Sequence, residues 1–475
     1  MFVSVLLVLL CVLFIFLQLR SGRPKNFPPG PPILPVVGNL LELNLENPLK
    51  DFERLRTTYG DVYSLFIGRK AAVVINGLET VKEAIMTKAA DFAGRPQDLL
   101  VNDVTQRKGV ILADYGSSWR EHRRFALMTL RNFGLGKKSM ENRILDEIQY
   151  TIKTLEKSIG STLCPRVMFH NAASNIICQV LFGARYEYDD QRIKVIVQCF
   201  TENAKIANGP WAMVYDSIPG VRHLPLPFGK AFENYKTCQD FAFRLVNEHK
   251  KTRVPNEPRD FLDCYLDELE KRGDDGSSFS EEQLTNYILD LHFAGTDTTS
   301  NTLLTAFLYL MNYPHVQGPP PQDNQRFMGH SHLYRVGPGR VRKPVFTTEK
   351  HECGPFIPLF LLFRLQGTMI IQNMASVLRE EGQWKFPHEF NPENFLNEEG
   401  EFVKPEAFMP FSAGPRVCLG ESLARMELFL ILVTLLRKYK FIWPEDAGEP
   451  DYTPVYGVTL TPKAYRMKVQ PRTSN

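Results

Sequence analysis

Cys418, near the C-terminal end of the chain, stands in a loop whose residue types suit metal binding. Two glycines, Gly414 and Gly420, flank it, and a long amphipathic helical pattern follows directly. The positive N-terminal end of that helix would face the sulfur and favour thiolate over thiol. No second cysteine or histidine stands at the spacing of a tetrahedral zinc site, whereas haem iron needs one axial ligand from the protein. The loop therefore indicates a haem thiolate, with a buried structural cysteine as the alternative.

Three further side chains could contact such a cofactor. Arg416, two residues before the cysteine, offers a guanidinium that matches a haem propionate. Trp119 and Arg123 are four residues apart in a helical pattern, so both lie on one face and could reach the same ligand. A solvated, charged helix is the usual explanation of such a run and is the alternative.

A second functional stretch is a long helical pattern in the last third of the chain. Ser280 and Gln283 form a capping-box pattern at its start. The helix is expected to run to Asn312 and to end before Pro314. A helix of this length can cross a whole domain.

The middle of this helix reads A-G-T-D-T-T from Ala294 to Thr299. Gly295 costs the helix about 1 kcal/mol relative to alanine, and threonines can hydrogen-bond back to the preceding turn. We expect Ala294 and Gly295 to leave a groove that admits O2, and Asp297 and Thr298 to relay protons. A glycine that serves helix packing is the alternative.

Several patterns resemble one family. The loop F-x-x-G-x-R-x-C-x-G, from Phe411 to Gly420, resembles the haem-binding loop of the cytochrome P450 haem-thiolate monooxygenases. A-G-x-D-T-T is similar to their oxygen-activation motif, and Trp-x-x-x-Arg to their propionate-contacting helix. The proline-rich segment from Pro28 to Asn39 resembles the hinge of microsomal members, and Phe92 to Pro96 is typical of family 2. Roughly residues 1–317 and 367–475 carry the resemblance.

The resemblance implies a mainly α fold with a small β subdomain, the cytochrome P450 fold, preceded by an N-terminal transmembrane helix. The cofactor would be haem b, with Cys418 as the iron ligand and Phe411 among the residues that contact it. The reaction would insert one oxygen atom from O2 into an apolar organic substrate, a xenobiotic or a polyunsaturated fatty acid. Electrons would come from NADPH through NADPH-cytochrome P450 reductase, with cytochrome b5 as a second candidate donor.

The N-terminal residues Phe2 to Leu19 are eighteen positions without a charge, long enough to span a bilayer, and three basic residues follow within the next six positions. A removed signal peptide, which would carry its charges before the apolar run, is the alternative. Positive charge after the span places the body in the cytoplasm. We therefore expect a single-pass endoplasmic reticulum protein with an anchor at 2–19, a basic, proline-rich hinge at 20–39 and a catalytic domain at 40–475.

Charge and cysteine usage limit the other partners. A formal net charge of +3 does not favour nucleic acid, and eight cysteines without paired spacing indicate a reducing compartment. One basic group could dock an acidic electron donor: Arg120, Arg124, Arg131, Lys137 and Lys138. One apolar group could touch the membrane or belong to the core: Trp211, Ile218, Val221 and Leu224.

Shorter patterns predict the remaining elements. Val62 to Ile67 and Ala71 to Ile75 are rich in β-branched residues and predict a hairpin. Helices are expected between Met140 and Asp274, with an irregular stretch from Asn208 to Gly229 that contains four prolines. Phe441 to Trp443 and Val455 to Leu460 are expected to form short strands.

The resemblance stops at Gln317 and resumes at Gly367. In the family this interval holds a helix with Glu-x-x-Arg, a strand of the substrate pocket and a further propionate contact, and none is visible in residues 318–366. Glu-x-x-Arg occurs only as Glu53 to Arg56 and as Glu121 to Arg124. The histidines and the cysteine of the interval lack the paired spacing of a zinc site, so a frame-shifted or misjoined segment explains it better.

Two other functions stay open. One is a haem-thiolate isomerase or synthase, a chemistry that does not require the proton relay of Asp297 and Thr298. The other is a haem-free, inactive membrane protein, which the loss of Glu-x-x-Arg favours.

Overall fold

The computed structural model describes residues 22–35, 37–44, 46–132, 138–273, 276–317 and 367–472. The expected membrane anchor at 2–19 and the anomalous segment 318–366 lie outside these residues. Among the helices in the described ranges, none is both long enough and apolar enough to cross a bilayer.

Helices are the main regular structure of the described residues, which confirms the expected mainly α fold. In chain order they are α1 (Leu49–Tyr59), α2 (Leu78–Lys82), α3 (Ala89–Phe92), α4 (Leu100–Val104), α5 (Ser117–Asn132), α6 (Lys138–Glu156), α7 (Arg166–Leu181), α8 (Gln191–Ala207), α9 (Pro210–Ser217), α10 (Gly229–Thr252), α11 (Phe261–Arg272), α12 (Glu281–Asn312), α13 (Met374–Val377) and α14 (Glu421–Lys438). A π-helical turn, Glu83–Thr87, joins α2 to α3.

Two small sheets form the β part. The strands are β1 (Val62–Ile67), β2 (Lys70–Ile75), β3 (Thr162–Leu163), β4 (Met369–Gln372), β5 (Tyr439–Ile442) and β6 (Met467–Pro471). The first sheet has the order β1-β2-β4 and the second β3-β6-β5. β1 and β2 form the predicted antiparallel hairpin, with Val62 opposite Ile75, and β4 adds in parallel, with Met369 opposite Ala72.

The proline-rich hinge packs against β1. Ser64 of this strand donates its backbone N–H to Pro29 and its hydroxyl to Pro28, both at 2.8 Å. A Cβ on Gly30 would lie 2.1 Å from the Ser64 carbonyl oxygen, so only glycine allows this approach. Arg23 adds a 2.8 Å bond from Nε to the same hydroxyl. The hinge is therefore held against the domain over several residues.

The predicted long helix is confirmed as α12, at the centre of the main core. The hydroxyl of Ser280 caps it by accepting the backbone N–H of Gln283 at 3.0 Å. Apolar side chains surround most of its circumference, which is typical of a helix buried on all sides. Phe307 stacks on Phe169 of α7 at 5.0 Å and meets Phe441 of β5 edge-on at 4.5 Å. The packing of α12 therefore fixes the position of the side chains in its middle turns, from Ala294 to Thr299.

Two expectations were wrong in part. The stretch from Asn208 to Gly229 is not wholly irregular, because α9 begins at Pro210, and proline is well tolerated at the first position of a helix. The stretch from Val455 to Leu460 does not form regular strands. A single antiparallel bridge joins Val455 to Thr461 and closes a loop that folds over α12.

Candidate active site

Cys418 lies directly before α14, as the sequence predicted. Its backbone N–H donates to the carbonyl of Phe411 at 3.0 Å and closes the loop. Gly420 is the N-cap of α14, and the backbone N–H groups of Gly420 and Glu421 donate to the sulfur. The residue is exposed on one side. The loop thus presents one sulfur at a helix N-terminus, open to a ligand.

The expectation that this environment favours thiolate is wrong for the protein chain alone. Burial among protein atoms raises the pKa of the Cys418 thiol above its ordinary value. The two backbone donors and the charge of Arg123 lower the pKa, and the Glu421 carboxylate raises it again. Desolvation therefore raises the pKa of the thiol by more than the helix end lowers it, and a bound metal cation would favour the thiolate.

Gly414 has a structural reason to be glycine. Its φ is +70°, and a Cβ at this position would lie 1.8 Å from the carbonyl oxygen of Ile85. The backbone of the cysteine loop therefore approaches the π-helical turn closely at Gly414. At Gly420, by contrast, a Cβ would meet no atom within 4 Å among the described residues.

The structure brings Trp119, Arg123 and Arg416 together, although 293 residues separate the two arginines in the sequence. The guanidinium of Arg416 lies 4.0 Å from the centre of the Trp119 ring, and that of Arg123 lies 5.4 Å from it. The indole N–H donates to the carbonyl of Val110 at 3.0 Å. The buried Trp119 ring therefore makes cation–π contacts with two guanidinium groups, while its indole N–H is bonded to the backbone.

The arginines are anchored by backbone carbonyls. Arg416 donates from Nε to Ala93 at 2.8 Å and from Nη2 to Ala113 at 2.9 Å, and Arg123 donates from Nη2 to Val417 at 2.5 Å. These bonds fix both guanidinium planes beside the cysteine loop.

A positive cluster results. Burial and the nearby charge of Arg95 lower the pKa of Arg416 to about 10, and Arg123 contributes in the same direction. Burial also lowers the pKa of Arg95 and of Arg123. One exposed sulfur beside three crowded guanidinium groups fits haem b, which offers one iron and two propionates. Arg95 was not predicted as a site residue, because in the sequence it stands only in a pattern that is typical of family 2.

The A-G-T-D-T-T stretch lies within an unbroken helix. Thr298 is exposed, and its hydroxyl donates to the carbonyl of Ala294 at 2.7 Å, as expected for a threonine in a helix. A Cβ on Gly295 would lie 2.9 Å from Cγ1 of Ile177 on α7. This geometry supports the packing alternative for Gly295, while the exposed hydroxyl keeps Thr298 available to a ligand.

Asp297 is turned toward α7 and the C-terminal loop. Its Oδ2 accepts a hydrogen bond from the hydroxyl of Thr459, and its Oδ1 lies 3.6 Å from Nε2 of His170. Burial alone would raise the pKa of Asp297, but the neighbouring His170 ring and the hydrogen bond from Thr459 hold it below its ordinary value. The sequence offered no signal for either partner, since Thr459 is 162 residues away.

Glu427 is a buried acid that no sequence pattern indicated. It stands on the inner face of α14 with 2% of its surface exposed, among leucines and methionine. Burial raises its pKa to about 8, although a hydrogen bond with Thr299 of α12 acts in the opposite direction. The carboxyl group is therefore mostly protonated at neutral pH.

One group of metal-type ligands occurs elsewhere in the described residues: His249, Asp260 and Asp263. His249 places Nδ1 2.9 Å from the Leu245 carbonyl and Nε2 2.9 Å from Asp260. Arg259 pairs with Asp263 at 2.6 Å. With both ring nitrogens facing acceptors, the group ties α10 to α11 and offers no free ligand set.

Comparison with known proteins shows which family the chain resembles over most of its length. A family model described as Cytochrome P450 matches residues 28–331 and 365–469. The chain is 37% identical over 484 residues to Cytochrome P450 2J5 of Mus musculus, covering 98% of this chain and 96% of that protein. It is 36% identical over 485 residues to Cytochrome P450 2F2 of Rattus norvegicus, covering 98% of each. It is 37% identical over 475 residues to Cytochrome P450 2D15 of Canis lupus familiaris, covering 95% and 94%. The family model leaves residues 332–364 unmatched, within the interval where the sequence departs.

Proposed function

This chain belongs to the cytochrome P450 family, and we propose that it inserts one oxygen atom from O2 into an apolar organic substrate, a xenobiotic or a polyunsaturated fatty acid. Its relatives make it a monooxygenase of the family 2 type. Electrons come from NADPH through NADPH-cytochrome P450 reductase. The observation that carries the proposal is the single sulfur of Cys418 at the start of α14, beside three guanidinium groups.

Each residue of the site then has a role. Cys418 would be the iron ligand, and Arg416 and Arg123, whose guanidinium groups lie over the Trp119 ring, would hold the propionates. Bound haem b supplies the activation of O2 and the transfer of one oxygen atom. Thr298 presents its hydroxyl on the exposed face of α12, where it can hand on a proton, and the carboxylate of the neighbouring Asp297 is the second group of the proposed relay.

The basic face of α5 supports the proposal that an acidic electron donor docks on this chain. Arg120, Arg124 and Arg131 are exposed on the helix that also carries Arg123. Rows of exposed arginines steer acidic partners and raise association rates at low salt. The reductase and, as a second donor, cytochrome b5 would dock here. Lys137 and the side chain of Lys138 lie outside the described residues.

Replacing Thr298 by alanine tests the proton relay. The variant should bind haem normally, because the hydroxyl bonds only to its own helix. Removing a positioned proton donor should divert electrons from product to hydrogen peroxide, raising the peroxide-to-product ratio about tenfold or more. NADPH consumption, peroxide and product are measured together in haem-loaded protein whose residues 318–366 have been replaced by the corresponding interval of a family member. Thr302→Ala is the matched control, since Thr302 is exposed one turn later and bonds back to its helix in the same way. Unchanged coupling in Thr298→Ala would show that the hydroxyl delivers no proton.

The membrane face is proposed to include the N-terminal anchor and an apolar patch. Trp211, Ile218 and Leu224 are 40%, 42% and 52% exposed, whereas Val221 packs partly against the core. This exposure supports membrane contact for the first three side chains.

Protease added to intact microsomes tests the orientation of the anchor. Basic residues after Phe2–Leu19 should keep the body in the cytoplasm, so digestion should remove nearly everything beyond about Arg20. Detergent-permeabilised microsomes serve as the control for protease activity. Full protection of the intact sample would mean that the topology is reversed.

A further inference from the structure

We propose that Cys199 and Cys238 form a redox pair, which hydrogen peroxide converts into a disulfide between α8 and α10. The two cysteines stand 39 positions apart in the sequence, outside every motif that indicated a function. Both lie outside the candidate haem site. The reaction needs neither haem nor turnover, so the proposal does not depend on the proposed function.

The packing register of α8 and α10 places the two cysteines opposite each other. Asn234 of α10 donates its side-chain amide to Oδ1 of Asn203 on α8 at 3.1 Å, and Asn203 donates to the carbonyl of Ala231 at 3.1 Å. Cys199 lies one turn before Asn203 on α8, and Cys238 lies one turn after Asn234 on α10. There the thiols of Cys199 and Cys238 are hydrogen-bond partners. The asparagine pair and the cysteine pair therefore follow one antiparallel register.

Both thiols belong to the main apolar core and are almost covered. Cys199 is 8% exposed and Cys238 is 1% exposed. Burial raises the pKa of both, so the pair rests as two protonated thiols. A tripeptide thiol such as glutathione is too large to pass this cover, whereas hydrogen peroxide is small and uncharged. The thiolate fraction is low at neutral pH, so the oxidation is slow and needs peroxide in excess.

The hydrogen bond between the thiols assigns the order of reaction. Against the larger effect of burial, it lowers the pKa of Cys199, and it adds to the rise at Cys238. These directions correspond to an S–H of Cys238 that donates to the sulfur of Cys199. The charge of Lys230 also lowers the pKa of Cys199, while the Glu202 carboxylate raises it. Cys199 is therefore the attacking thiol and Cys238 the resolving thiol.

The oxidation balances with one molecule of peroxide in two steps. The Cys199 thiolate attacks one oxygen, an S–O bond forms, the O–O bond breaks, and the departing hydroxide takes up the proton that the thiol released. Cys238 then attacks the sulfur of this sulfenic acid. An S–S bond forms, the S–O bond breaks, and the hydroxyl leaves with the Cys238 proton as water. The two thiols lose two electrons, and the peroxide is reduced to two molecules of water.

The disulfide links two helices that both pack on α12. The Phe200 ring of α8 lies 5.1 Å from that of Phe293 on α12, and Tyr235 of α10 donates its hydroxyl to Asn286 of α12 at 2.6 Å. A cross-link between positions 39 residues apart restricts the unfolded chain more than the folded one. Oxidation should therefore raise the midpoint of thermal unfolding by about 5 °C.

Peptide mapping of the full chain tests the link directly. Reduced protein is incubated with excess hydrogen peroxide, remaining thiols are alkylated, and trypsin is added without reductant. The two cysteines fall in separate tryptic peptides, 195–205 and 237–244. We expect a product with the mass of both peptides less two hydrogens, which dithiothreitol separates. Folded protein that gives no such product, or only the mixture of links formed in guanidinium, overturns the proposal.

Single serine variants test the roles of the two thiols. Cys238→Ser should leave Cys199 as a sulfenic acid that dimedone traps on peptide 195–205, whereas Cys199→Ser should give no adduct on Cys238. Cys264→Ser is the matched control, since Cys264 lies partly buried on α11, and it should keep the link. The rise in the unfolding midpoint should persist in this control and disappear in Cys199→Ser. An equal rise in Cys199→Ser, or dimedone on Cys238 in that variant, overturns the proposal.

Discussion

Replacing residues 318–366 by the corresponding interval of a family member should raise haem incorporation from little or none to about one haem per chain. In the family, the arginine of Glu-x-x-Arg donates to backbone carbonyls behind the cysteine loop, near Asn391 to Phe395. Among the described residues, the carbonyls of Asn391, Glu393 and Phe395 accept backbone N–H groups. The missing arginine therefore removes charged hydrogen bonds, each worth about 1.5 to 3 kcal/mol, and with them a support of the loop that must hold the iron. We propose that the chain as printed loads haem poorly for this reason.

The two Glu-x-x-Arg sequences that the chain does contain cannot substitute. Arg56 pairs with Asp61 at 2.6 Å, beside the β1–β2 sheet. Glu121 pairs with Arg272 of α11 at 2.7 Å. Both members of the family motif must therefore come from the replaced interval.

The experiment compares three chains by pyridine-haemochrome assay and absorbance spectrum: the printed chain, the graft, and a graft whose motif arginine is changed to alanine. The last chain is the matched control and should load as poorly as the first. Sequencing the transcript across codons 317 to 367 shows which interval the gene encodes. A printed chain that takes up haem stoichiometrically with a normal thiolate spectrum would prove this account of the segment wrong.

Cys418→Ser, made in the graft, should abolish the thiolate-type Soret band completely. A serine hydroxyl stays protonated at neutral pH even with the backbone donors of Gly420 and Glu421 in place, so no anionic sulfur remains to bind iron. Cys164→Ser is the matched control, because Cys164 is the other cysteine that the structure records as exposed among the described residues. It should leave the spectrum unchanged. A thiolate-type band that survives in Cys418→Ser would mean that another residue is the ligand.

Local signals explain what the sequence analysis predicted correctly. The bounds of α12 follow from a capping box at Ser280 and a proline two residues after Asn312, and both act within one turn. The β1–β2 hairpin follows from β-branched residues around Gly68. The cysteine loop is a pattern of contiguous residues, so its position before α14 needed no knowledge of tertiary contacts.

Long-range contacts explain what it missed. Arg95, His170 and Thr459 become site residues only when distant segments meet, and none stands in a pattern that predicts its partner. Glu427 lies on the apolar face of its helix, where it interrupts the hydrophobic pattern. The pattern alone does not show that this acid is buried. The wrong expectation about the Cys418 pKa has a different cause. The helix end lowers the pKa of the thiol through two backbone donors, whereas desolvation raises it through every protein atom packed around the sulfur.

The carbon monoxide difference spectrum of the reduced, grafted protein tests the central claim most directly, because it reports the axial ligand of the iron. We predict the band of a thiolate-ligated haem, present in the graft and lost in Cys418→Ser. A grafted protein that binds haem but gives only the band of a nitrogen-ligated iron, or that binds no haem at all, would contradict the assignment of Cys418 as the ligand of a haem-thiolate monooxygenase.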